Sequence, residues 1–236
     1  MGLAEASHAS LERVLLEQRE RAQLRTHGFS PLRKLLLLGP PGTGKTMTGG
    51  VLASELSLPL FAIQLDGLIT KFMGETASKL RLIFDAIEQT RAVYLFDEFD
   101  ALGSQRGLPN EVGEIRRVLN SFLQFLEQDE SDSLIVAATN HAELLDRALY
   151  RRFDIVIEYD LPTPDVAERV MRNKLALLST DGVDWAEATW AADKLSHGDL
   201  ARACEQAAKD AILAHSMSIS TGGLAGALQA RVHASR

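Results

Sequence analysis

The chain has little cysteine, no long apolar run and no excess of basic charge, and each shortage removes a class of protein. Cys204 is the single cysteine among 236 residues, so neither an internal disulfide nor a multi-thiol zinc site can be built. It reads as a small buried residue on a late helix. No apolar segment of about 20 residues occurs, which excludes a transmembrane helix. Glu5, His8 and Glu12 interrupt the N-terminal apolar residues where a secretory signal needs a continuous core. These absences predict a cytoplasmic chain with no membrane partner. Lysine and arginine number 25 against 32 acidic residues, a net charge of −7, whereas proteins that track nucleic acid concentrate basic charge on one face. Arg13, Arg19, Arg21 and Arg25 form a basic stripe, but Glu12, Glu17 and Glu20 are interleaved with it, as on a solvated helix face.

What is present is the balance of a folded chain, 46% apolar and 24% charged. Leu11, Val14, Leu15 and Gln18 recur at helical spacing, predicting an amphipathic helix over 7–25 that Gly28, Ser30 and Pro31 close. Strand and helix patterns then alternate. Strands are expected at 34–38, 60–64, 92–96, 134–139 and 154–159, with helices at 45–56, 76–88 and 111–127 between them. Such alternation implies a parallel sheet covered by helices on both faces. After Tyr159 the strand pattern stops, and Thr163-Pro164-Asp165 is a helix start with Thr163 as cap. Helices at about 165–178, 185–195 and 199–216 follow, and the Gly-, Ala- and Ser-rich stretch 217–236 reads as a weakly packed helix or a frayed tail. The expected domains are therefore an N-terminal helix and linker over 1–30, an α/β domain over 31–160, and a small helical domain with a tail over 161–236.

Gly39-Pro40-Pro41-Gly42-Thr43-Gly44-Lys45-Thr46 fits G-x-x-x-x-G-K-[ST] between an expected strand and an expected helix. The glycines let successive N–H groups turn toward a phosphate, and the helix N-terminus adds its positive dipole. Lys45 suits the β- and γ-phosphates, and the Thr46 hydroxyl suits Mg²⁺. Such a loop needs a metal holder and a water handler, and Val93-Tyr94-Leu95-Phe96-Asp97-Glu98 supplies both at the end of an apolar strand. Carboxyl ends of parallel strands line the ligand crevice, so Asp97 is expected to hold Mg²⁺ through its water shell and Glu98 to polarise the attacking water. By itself, Asp-Glu after an apolar run also describes a strand entering solvent.

With both motifs in hand, the chain resembles the AAA ATPases over about residues 30–215, especially the branch of katanin, spastin and the membrane-anchored AAA metalloproteases. The resemblance implies a P-loop NTPase fold of AAA+ type, a doubly wound parallel five-stranded sheet followed by a small all-α lid. Within it, Ala137-Ala138-Thr139-Asn140 is similar to sensor 1, so Asn140 would orient the water, although an Asn there also suits a plain turn. Asp146-Arg147-Ala148-Leu149-Tyr150-Arg151-Arg152-Phe153-Asp154 resembles the region carrying the arginine fingers. Arg151 and Arg152 would then act on the neighbouring subunit's nucleotide, the alternative being surface salt bridges. Lys71-Phe72-Met73-Gly74-Glu75 looks like pore loop 1, whose aromatic grips an extended polypeptide. Phe72 and Met73 would equally suit a core. Residues 103–110, with Arg106, sit where a second pore loop would lie. Ser196-His197-Gly198-Asp199-Leu200 resembles the sensor 2 region with Gly198 in the arginine's place, and His197 would approach the nucleotide or simply face solvent. The resemblance thus implies nucleotide contacts from Gly39 through Met47 and from Asp97 and Gly198, with ATP and Mg²⁺ as substrate and cofactor.

The expected activity is ATP hydrolysis in a homo-oligomeric ring, of six by the family's habit, that remodels, unfolds or translocates protein substrates through a central pore. An adaptor or a separate protease would be its further partners. The alternative is a nucleic-acid motor or loader, against which the acidity and the aromatic pore loop argue. A nucleotide switch that barely hydrolyses is a third reading, opposed by the full set Lys45, Asp97, Glu98, Asn140, Arg151 and Arg152. No His-Glu-x-x-His occurs, so the zinc protease of the membrane-anchored relatives is not expected in this chain. Only 38 residues precede Gly39, fewer than a large substrate-selecting domain requires. Leu3–Arg25 is either a remnant adaptor-binding helix or the end of a longer segment.

Overall fold

A computed structural model describes residues 5–65, 75–99, 109–142, 145 and 147–234. They form α1 (Glu5–Arg19), α2 (Arg21–Thr26), β1 (Lys34–Leu38), α3 (Lys45–Leu56), β2 (Leu60–Gln64), α4 (Glu75–Gln89), β3 (Val93–Asp97), α5 (Pro109–Gln128), β4 (Leu134–Thr139), α6 (Arg147–Tyr150) and β5 (Ile155–Glu158). Four helices follow: α7 (Pro164–Lys174), α8 (Trp185–Ala191), α9 (His197–Leu213) and α10 (Thr221–Ala234). Two compact units result, one holding Ala6–Gly39 and Lys45–Glu158, the other Pro40–Gly44 and the residues from Tyr159 onward. Among the described residues no helix is long and apolar enough to cross a membrane.

In the larger unit the five strands are all parallel, in the order β2-β3-β4-β1-β5. Near-continuous Leu, Val and Ile make β1 and β4 buried along their whole length, as strands covered on both faces must be. Side chains alternate across the pleat. Leu36, Leu38, Tyr94, Phe96, Ile135 and Ala137 point to one face, where Leu80, Phe84 and Ile87 of α4 and Phe122 and Leu126 of α5 meet them. The opposite face receives α3 at close range, because Gly49 leaves room for Leu95: a Cβ there would lie 3.2 Å from Leu95 Cδ2.

The single helix expected over 7–25 is two helices, since Glu20 (φ −94°, ψ 16°) leaves the helical region between them. Ser7, Leu11, Val14 and Gln18 of α1 are buried. Ser7 Oγ donates to Glu158 O at 2.7 Å and Gln18 Nε2 to Leu32 O at 2.9 Å. The apolar stripe of α1 is thus used by the chain's own core. Most of the basic stripe is locally neutralised, Arg13 by Glu17, Arg19 by Glu55 and Arg25 by Asp132.

In the smaller unit α7 to α10 share a core that includes Met171, Leu175, Leu195, Leu200, Cys204, Leu224 and Leu228. Thr163 stands at the N-cap of α7, but its side chain makes no capping bond, and Pro164 at the first position does the work of starting the helix. The stretch read as a weakly packed helix or a frayed tail contains a helix, α10, with Leu224, Ala225 and Leu228 buried. Its small residues weaken the amphipathic signal in the sequence while letting the helix pack closely.

Candidate functional site

Register aligns the carboxyl ends of the three central strands. Leu38 of β1 pairs with Thr139 of β4, and Phe96 of β3 with Ala137 of β4. Gly39, Asp97, Glu98 and Asn140 therefore leave the sheet along one edge, the edge at which open parallel sheets bind ligands. Asn140 follows β4 directly and is half-buried, and the turn it opens is fixed by His141 N donating to Thr139 Oγ1 at 3.1 Å.

On this edge Lys45 and Thr46 begin α3. Lys45 is buried, and its Nζ donates to Gly39 O at 2.6 Å. Thr46 Oγ1 donates to Asp97 Oδ2 at 2.7 Å, while Glu98 N donates to Asp97 Oδ1 at 3.0 Å. A hydroxyl and a carboxylate in contact are hard oxygen donors of the kind Mg²⁺ takes from protein when phosphates supply the rest, so the donor set fits the metal. Glu98 is exposed and adopts φ 53°, a left-handed conformation that costs a side-chain-bearing residue roughly 1–3 kcal/mol and collects at functional positions. Met47, next in the helix, is 57% exposed.

The phosphate loop itself runs through Gly39, Gly42 and Gly44 at φ 142°, 75° and 106°, so its curl needs residues without a Cβ. Thr43 is buried and its Oγ1 donates back to Pro40 O at 2.8 Å, closing the turn around Pro41. Within the smaller unit Gly198 N donates to Gly42 O at 2.9 Å, so Gly198 meets the loop through its backbone. A Cβ on Gly42 would lie 2.3 Å from Ser196 Oγ. Ser196 caps α9: its Oγ accepts from Asp199 N at 3.2 Å and donates to Asp199 Oδ2 at 2.6 Å. Sequence reasoning missed this role, although Ser-x-x-Asp before an apolar helix is a capping signal.

Arg151 and Arg152 lie elsewhere. The segment after α6 is pinned to the amino end of β1, where Asp154 Oδ2 accepts from Arg33 N and Lys34 N at 2.9 Å each and Asp154 N donates to Lys34 O at 2.8 Å. Burial and the neighbouring Arg33 lower the Lys34 pKa there, with Asp129 and Asp154 opposing. Lys34 to Gly39 spans the length of β1, about 16 Å at the rise of a strand. Within the larger unit the segment carrying Arg151 and Arg152 thus meets the amino end of β1, while Gly39 and Lys45 lie at its carboxyl end. Arg152 pairs with Glu127 near the end of α5, a partner that no sequence signal marked. The expected pore residues Lys71, Phe72, Met73 and Gly74 fall outside the described residues, as do 103–108 with Arg106, and Asp146.

Residues 35–161 match the model of the ATPase family associated with various cellular activities. The chain belongs to the AAA family. It is 38% identical over 205 residues to an uncharacterized AAA family ATPase of Sinorhizobium fredii, covering 85% of this chain and 62% of that one. The same AAA module is 34% identical to the ATP-dependent zinc metalloprotease FtsH 1 of Methylacidiphilum infernorum (88% of this chain, 34% of the relative). It is 33% identical to the proteasome-activating nucleotidase 1 of Halobacterium salinarum (89% and 54%). The chain therefore spans between about a third and about three-fifths of these relatives' lengths.

Proposed function

We propose that the chain hydrolyses ATP and couples the hydrolysis, in a homo-oligomeric ring of six, to remodelling, unfolding or translocating protein substrates. The observation that carries the catalytic part is the contact of Thr46 with Asp97 beside the buried Lys45, at the mouth of a loop that three positive-φ glycines shape. In this reading the loop from Gly39 to Lys45, with Pro40 and Pro41 stiffening it, cradles the phosphates, and Met47 and Gly198 border the nucleotide. Thr46 and Asp97 would hold Mg²⁺, which when bound neutralises charge on the β- and γ-phosphoryl oxygens. Glu98 takes up the proton of the attacking water and Asn140 orients that water. Arg151 and Arg152, at the far edge of their own sheet, serve the nucleotide of a neighbouring protomer, where a guanidinium meets the charge of the transferring phosphoryl group.

The protein-directed part is supported by relatives named a metalloprotease and a proteasome-activating nucleotidase, and by the aromatic Phe72 beside Gly74. ATP turnover measured against protein concentration, with and without an unfolded protein or DNA, tests it. The specific activity is expected to rise with concentration as rings form and to rise further with unfolded protein. Phe72→Ala should keep basal turnover and lose that stimulation. Stimulation by DNA alone would instead favour a nucleic-acid motor, and a Phe72→Ala protein that still unfolds substrate at the full rate would defeat threading by this residue.

A further inference from the structure

Arg151 and Arg152 are adjacent and identical in chemistry, yet their surroundings differ. Their segment is fixed at four of five consecutive positions. Tyr150 Oη donates to Ala142 O at 3.1 Å. Arg152 N donates to Leu149 O at 3.0 Å, and its guanidinium pairs with Glu127 of α5. The Phe153 ring is buried, with its edge toward Phe99 at 6.4 Å between centroids. Asp154 is locked to β1 through both Arg33 N and Lys34 N. Arg33 in turn pairs with Asp129, whose side chain is 1% exposed, so the far side of the mount is anchored in the core as well. Arg151 alone in the segment is exposed with no side-chain hydrogen bond or ion pair to any described residue.

We propose that the two arginines divide their labour: Arg151 is the group that reaches the neighbouring protomer's phosphates, and Arg152, held by Glu127 of its own chain, is a positioning residue that presents it. The proposal rests on the reading that arginines act across the subunit boundary. An arginine committed to a carboxylate must break that pair before it can meet phosphoryl oxygens, whereas Arg151 has no such pair to break. An ion pair to a carboxylate of another helix also restrains the residue that carries it, and the restrained residue is the one next to Arg151.

The test compares steady-state ATP turnover of Arg151→Ala, Arg152→Ala, Glu127→Ala and the Glu127→Ala/Arg152→Ala double variant, each at concentrations where gel filtration shows full assembly. Arg151→Ala should lower kcat by about 10³-fold or more, the range of an arginine finger. Arg152→Ala and Glu127→Ala should each lower kcat by a common, smaller factor of about tenfold, with KM for ATP unchanged. The double variant should be no worse than either, because both remove one interaction. The swapped pair Glu127→Arg/Arg152→Glu should recover activity, which a merely lost surface charge would not do. Equal losses for Arg151→Ala and Arg152→Ala, or a Glu127→Ala protein with full activity beside a crippled Arg152→Ala, would overturn the division. If neither Arg151→Ala nor Arg152→Ala lowers turnover, it is the trans reading itself that fails.

Discussion

Thr46 Oγ1 donates to Asp97 Oδ2 at 2.7 Å, so the first turn of α3 and the last residue of β3 are joined directly. Asp97 Oδ1 in turn accepts from Glu98 N at 3.0 Å, and Glu98 itself is exposed at φ 53°.

Glu98→Gln keeps the Thr46–Asp97 bond and the loop but removes the proton acceptor. ATP should still bind, and turnover should fall by about 10²- to 10⁴-fold. Nucleotide recovered from the purified variant should be ATP, and near-normal turnover would remove Glu98 from its role. Glu98→Gly should be equally inactive yet melt no lower than Glu98→Gln, because glycine relieves a left-handed strain at a cost in chain entropy of about 1 kcal/mol. Calorimetry on the two variants decides it.

Gly42 and Gly50 respond to alanine in opposite directions. At Gly42 the φ of 75° is unfavourable for alanine and its Cβ would strike Ser196 Oγ, so Gly42→Ala should cost about 1–3 kcal/mol and weaken ATP binding. Gly50 lies within α3 and a Cβ there meets nothing within 4 Å. Gly50→Ala should therefore stabilise by about 0.5–1 kcal/mol, as read from urea midpoints.

Burial pushes the Cys204 thiol up to about 12 from 9.0. The folded protein should be inert to thiol reagents at pH 8 and react once urea unfolds it. Because the folded pKa is the higher one, the thiol's contribution to stability is complete below pH 9 and is lost as pH climbs toward 12. A native protein that reacts quickly at pH 8 would mean the helix face around Cys204 opens.

The strands were legible in the sequence because buried parallel strands are short apolar blocks; β1, β2 and β4 have the expected bounds. Among the candidate site residues, Lys45, Thr46, Asp97, Glu98 and Asn140 were read from the motifs and the strand ends that carry them. Ser196 and Glu127 were not, since their partners Gly42 and Arg152 are 154 and 25 residues away in the chain, and no local pattern encodes such a pairing. Helix α10 was undervalued for another reason. Gly222, Gly223 and Gly226 dilute its propensity, and its stability comes from packing on α8 and α9.

That packing is measurable. Leu228 is fully buried in the helical core, so Leu228→Ala should cost about 2–5 kcal/mol. A frayed tail would show no change in melting temperature.

In the proposed mechanism one ATP site is completed by an arginine from another protomer, since the segment that carries Arg151 is pinned to the amino end of β1 while Gly39 and Lys45 lie at its carboxyl end. Mixing Lys45→Ala with Arg151→Ala tests it most directly, since the first lacks a working phosphate loop and the second lacks the arginine it lends. With co-assembly verified by gel filtration or crosslinking, the mixture should recover a measurable fraction of wild-type ATP turnover although each variant alone has almost none. Co-assembled mixtures no more active than the separate variants would contradict the claim.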